Sequence, residues 1–157
     1  MNLNALVLVA DSARARLFRI VETDSPRARI ALEELESLVH PEARVKEGDR
    51  HSDASPSVSH SGKGGGHTLD DHRAAHEQEE RRRFAKTIAH SVARTVKEQF
   101  RDPVIAVATH AVHALLADEL ARQLPKEAHV RAEIGELSEL TPTELLEELE
   151  RRGALRP

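Results

Sequence analysis

The chain has 157 residues, 39% hydrophobic and 32% charged, with a formal charge of −4: the size of one domain with a single core and a heavily charged surface. The negative balance excludes a chain-wide basic field, so any contact with nucleic acid must come from a local patch. There is no cysteine, which excludes disulfides, thiolate metal ligands and a cysteine nucleophile, and with Phe18, Phe84 and Phe100 as the aromatics, stacking platforms for bases are scarce.

The opening stretch MNLNALVLVADSARAR has no basic leader, and its apolar run from Leu6 to Ala10 is too short for a signal peptide or a membrane span. The expected compartment is therefore the cytoplasm, with no membrane contact. Residues 4–10 (NALVLVA) are apolar and rich in valine and leucine, the pattern of a strand buried on both faces. Asp11-Ser12 is a turn. Residues 13–21 alternate, with Arg14 and Arg16 on one side and Ala13, Ala15 and Leu17 on the other, so the first two segments read as a hairpin. A second turn at 23–27 leads into ARIALEELESLV (28–39). Its composition suits a helix, but the tight turns before it and the His-Pro after it favour a third strand.

From residue 40 to 70 there is no periodicity, and Ser, Gly, Asp, Pro and His dominate. A loop of this length inside a compact domain is usually functional or disordered. A helix is expected over 71–99, with Phe84, Ile88, Val92 and Val96 in one apolar stripe beside Ala85, Ala89 and Ala93. A buried strand (104–108), a helix (109–124, with Ala111, Leu115, Leu116 and Leu120 inward) and a strand (129–137) follow. Thr141 caps a last helix, with Pro142 at its first position, Glu144 completing a capping box, Leu145, Leu146 and Leu149 inward and Gly153 at its end. The order βββ–loop–α–β–α–β–α predicts a single α/β domain over 1–157, with a mixed five-stranded sheet and helices packed on it.

The segment SHSGKGGGHTLDDH (59–72) invites several chemistries. A phosphate cradle fails on spacing: Gly62-Lys63 is followed by Gly64 rather than Ser or Thr, and no glycine stands five residues before Gly62. His72 and His76 are spaced to face one ion, with His67 or His60 to join them, but two histidines on a charged first turn are more often solvated, and no metal is expected. Asp11, just past a buried strand, is better read as a turn former than as a functional carboxylate. Arg81, Arg82, Arg83 and Lys86, with Lys63 and Arg73, are spaced to contact RNA phosphates. Taken alone, Glu77–Arg81 and Glu79–Arg83 read more simply as pairs that stabilise a solvated helix.

Three stretches together, VADSARARLFRI (9–20), LVHPEAR (38–44) and the Ser/Gly-rich loop running into His72-x-x-x-His76-Glu77 and RRRFAKTIA, resemble the bacterial host attachment proteins, described as required for attachment to host cells. LSELTPTELLEEL (137–149) is similar to the end of the same family. The resemblance implies a fold like the middle domain of archaeal and eukaryotic peptide-chain release factors. In those factors a Gly-Gly-Gln loop precedes a long helix and acts in peptidyl-tRNA hydrolysis. Here Gly64-Gly65-Gly66-His67 occupies that place without a glutamine, and the nearest one is Gln78. No catalytic residue and no cofactor is carried over. The expected function is that of a non-enzymatic, RNA- or ribosome-associated accessory protein. Its contact residues would be Lys63, Gly64, Gly65, Gly66, His67, Arg73, Arg81, Arg82 and Lys86, and its partners the ribosome or tRNA. The alternatives are an attachment protein acting through a protein partner, and a peptidyl-tRNA hydrolase with His67 in place of the glutamine.

Overall fold

The computed structural model describes residues 1–41 and 66–157, the side chains of 66–70 excepted. The elements are β1 (Leu6–Ala10), β2 (Arg14–Glu22), β3 (Ile30–Val39), α1 (Gly66–Gln99), β4 (Val104–Ala108), α2 (His110–Gln123), β5 (Val130–Ile134) and α3 (Pro142–Arg151). The strands form one mixed sheet in the order β3-β2-β1-β4-β5. The first three pair antiparallel, while β1, β4 and β5 run parallel. The α/β class, the element order and the strand reading of 28–39 are thereby borne out. Among the described residues, no helix is long and apolar enough to cross a membrane.

Asp11 makes the first hairpin. Its Oδ1 accepts from the backbone N–H of Ala13 at 2.7 Å and of Arg14 at 2.8 Å, the local bond that lets aspartate nucleate a turn. β1 is buried on both faces, as its unbroken apolar run requires. Leu6, Leu8 and Ala10 join Ala15, Leu17 and the stripe Phe84, Ile88, Val92 and Val96 under α1 and α2. Val7 and Val9 join Phe18, Ile20, Leu145 and Leu149 under α3. A fully buried leucine contributes about 2 kcal/mol, so these two layers dominate the stability.

β3 explains its own ambiguous sequence. A β-bulge falls where Leu17 pairs with Glu36 and Phe18 with Glu34, which leaves Leu35 as the extra residue. Before the bulge, Ile30 and Leu32 pack toward α3; Leu35 at the bulge and Leu38 after it pack toward α1. The parity change erases the two-residue alternation by which a strand is recognised.

Several details differ from expectation. α1 begins at Gly66, five residues before the predicted start, and β5 ends at Ile134 rather than 137. In α2, Val112 is buried and Ala111 is exposed, while Leu115 is half-buried; one methyl group supplies too little burial energy to set the face of a helix. On the arginine side of β2, α3 and the segment before it cover Arg16 to 7% exposure. At the other end of the chain, the capping box of Thr141 and Glu144 is present, Pro142 opens α3, and Gly153 follows it at φ +71°.

Candidate nucleic-acid interface

α1 has two parts. Among its described side chains none before Glu80 is buried, whereas from Phe84 onward its inward side lies on the sheet. The junction is fastened by His40, the residue that closes β3. Its buried ring meets Phe84 edge-on at 4.9 Å, and its Nε2 lies 3.3 Å from the Glu80 carbonyl oxygen and 3.8 Å from Glu80 Oε2. Glu80 also receives His76 at 3.8 Å and Arg83 at 3.6 Å. The histidine of LVHPEAR is thus a packing latch between the end of β3 and the middle of α1.

The predicted contact residues are distributed unevenly. Lys63, Gly64 and Gly65 lie outside the described residues; Gly66 and His67 form the first turn of α1. Arg73 is exposed. Arg81 is half-buried, and its Nε is enclosed without a hydrogen-bond partner among the described residues. Arg82 and Lys86, four residues apart, share an exposed side of the helix, and neither meets a carboxylate in ion-pair range among the described residues. Arg81 and Arg82 therefore point different ways, about 100° apart around the axis. Of the two expected stabilising pairs, Glu79–Arg83 forms at 3.4 Å.

Below Lys86 the exposed side of α1 stays basic. Arg83, Lys86, His90, Arg94 and Lys97 follow at steps of three and four residues, one stripe of a helix. Lys86 and His90 border a hollow of about 600 Å³ against α2, whose Gln123 donates to the Lys86 carbonyl at 3.1 Å. The contiguous Arg81–Arg83 run masks this stripe in the sequence, where the spacing of 83, 86, 90, 94 and 97 is its only signal.

The other sequence candidates resolve into structure. Asp11 Oδ2 accepts from the Ser138 hydroxyl, so the turn also ties the start of the chain to the segment before α3. Arg16 donates to the carbonyls of Ser138 (3.1 Å) and Leu140 (2.7 Å), forks onto Glu34 (2.7 Å from Nη2) and lies over the Phe18 ring at 4.9 Å. Both signature residues of VADSARAR thus hold the molecule together. Among the described residues, no three histidine, aspartate or glutamate side chains cluster as metal ligands would.

A family model described as "protein required for attachment to host cells" matches residues 6–149. Comparison with curated proteins finds no match.

Proposed function

This chain belongs to the family of proteins required for attachment to host cells, and from that premise we propose that it is an RNA- or ribosome-associated accessory protein without catalytic activity of its own. The observation that carries the reading is the exposed pair Arg82 and Lys86, unmatched by carboxylates among the described residues, in a chain whose net charge is negative. Free cations on one helix side are what phosphate contacts need. A glycine-rich segment ahead of a long helix that packs on a mixed sheet supports the expected resemblance to release-factor middle domains. In this reading Gly66, His67 and Arg73, within the first turns of α1, extend the contact, and Lys63, Gly64 and Gly65, which precede them in sequence, belong to it as well. Release chemistry is left aside because no glutamine follows the glycines.

The test is sedimentation of cell lysate through a sucrose gradient at two salt concentrations. The protein should travel with ribosomes at low salt and less so at high salt, and Lys63→Glu or Arg82→Glu should weaken the association. A wild-type protein that stays at the top of the gradient even at low salt would overturn the reading.

The family description favours a second reading, in which the same surface binds a protein partner during attachment. Cell fractionation separates the two: protein found mainly on the cell exterior supports direct attachment, and protein found inside makes an attachment phenotype indirect.

A further inference from the structure

We propose that the groove between α1 and α2 is a track for single-stranded RNA, with Phe100 as the platform on which a base stacks at its far end. The inference rests on the RNA-associated reading above and moves the contact down the sheet-packed half of α1.

Three hollows of about 600, 700 and 460 Å³ lie along this helix. The first and second share His90 and Gln123; the second and third share Lys97 and Pro125. They therefore form one continuous groove, which from Arg83 to Phe100 follows about 25 Å of helix axis. Lys86, His90, Arg94 and Lys97 edge it from α1, and Arg122 faces them from α2. Lys86 and Lys97 meet no carboxylate in ion-pair range among the described residues. The carboxylates of the groove are mostly occupied. Glu119 is buried and holds Arg122 and Gln123, each at 3.3 Å; Asp102 holds His129. Glu127 is the exposed acid on the wall. A positive groove in a chain of net charge −4 is complementary to a polyanion.

Phe100 selects the kind of polyanion. It follows α1 directly, is 83% exposed, and adopts φ +52°, a left-handed conformation that favours glycine. Its carbonyl accepts from Asn4 Nδ2 at 2.8 Å, which pins the backbone there. A bulky ring held in solvent at a strained position, between Lys97 and Arg101 in the third hollow, has no role in the core. A basic groove ending in an exposed aromatic ring is the combination used to bind single strands, because stacking needs a base face that a duplex hides. An acidic peptide would meet the cations but offers the ring no flat partner.

The experiment is fluorescence anisotropy on the full chain, with a short labelled oligouridine, an RNA duplex of equal length, and polyglutamate as competitor. Oligouridine should bind at low salt, more tightly than the duplex, with polyglutamate a poor competitor. Lys97→Glu should weaken binding and flatten the salt dependence by about one unit of slope. Phe100→Gly should weaken it about tenfold while the Tm stays equal or rises, because glycine takes the left-handed conformation without strain. Equal binding of the duplex, or full competition by polyglutamate, would overturn the proposal. So would unchanged oligouridine binding by both variants; if Arg82→Glu still releases the protein from ribosomes, the RNA-associated reading survives that result. Loss of oligouridine binding and of ribosome association in the wild type would end both.

Discussion

Arg16 shows how much one side chain can hold. Its guanidinium reaches two separate pieces of chain: β3 through Glu34, and the segment before α3 through the carbonyls of Ser138 and Leu140. Truncation to alanine removes five hydrogen bonds and leaves two carbonyls without that donor. Arg16→Ala should cost about 3 kcal/mol in urea unfolding, at the lower end for a buried charge because Glu34 is partly solvated. Arg16→Lys should recover little, since a single ammonium cannot replace the fork; full recovery by lysine would show that charge alone matters. Gly135 makes a different demand. A Cβ there would lie 2.8 Å from Val107 Cγ1 and 2.9 Å from Arg152 Nη2. Arg152 can swing away, but Val107 is fixed in the core, so Gly135→Ala should destabilise by about 1–2 kcal/mol. An unchanged denaturation midpoint would mean that β4 gives way.

At the scale of elements, legibility followed local chemistry. The capping box of α3 was readable because all its parts lie within four residues. Thr141 Oγ1 accepts from the Glu144 N–H at 3.2 Å, and Glu144 Oε1 accepts from the Thr141 N–H at 2.9 Å. Thr141→Ala should cost about 1 kcal/mol, seen as a lower Tm. β3 was harder. Its three glutamates resemble a helix face, yet Glu33 pairs with Arg19, Glu34 with Arg16, and Glu36 with Ser91 and Arg94, all on other elements. No local rule contains those partners, and the bulge that sorts them exists only once β2 lies alongside. α1 lies between these cases: its apolar stripe was plain, whereas Ser91 and Thr95 are buried within it. Thr95 donates to the Ser91 carbonyl at 3.0 Å, and Ser91 donates to Glu36, so burial leaves neither hydroxyl unsatisfied.

At the scale of the whole molecule, three carboxylates contribute to the response to acid with a defined sign. Burial pushes Asp102 up, but hydrogen bonds from the backbone and ring of His129, together with its charge, outweigh this and hold the carboxyl below its ordinary value. Glu144 is lowered by the backbone and side chain of Thr141, and Glu148 by hydrogen bonds from Arg151 and Arg152. Each takes up a proton less readily folded than unfolded. Their stabilisation is therefore complete above the ordinary carboxylate range, near pH 4, and is lost as pH falls through the lower folded values. Through these three groups Tm should fall as pH drops below about 4; a Tm that rises on acidification through that range would contradict the sign.

Composition and periodicity by themselves determined the α/β class, the order of elements, the two-faced burial of β1 and β4 and the cap of α3. Each depends on neighbours within a few residues, where backbone geometry leaves little choice. The tertiary structure alone decided the rest. It made Arg16, on the arginine side of β2, a buried tie, and it turned His40 into the latch under α1. It also split the basic run, leaving Arg82 and Lys86 outward and Arg81 half-buried. Finally, it set α2 beside α1, so that cations spread over fifteen residues of one helix border a groove ending at an exposed Phe100. A groove is a property of two elements and of the distance between them, and a one-dimensional pattern carries no information about that distance.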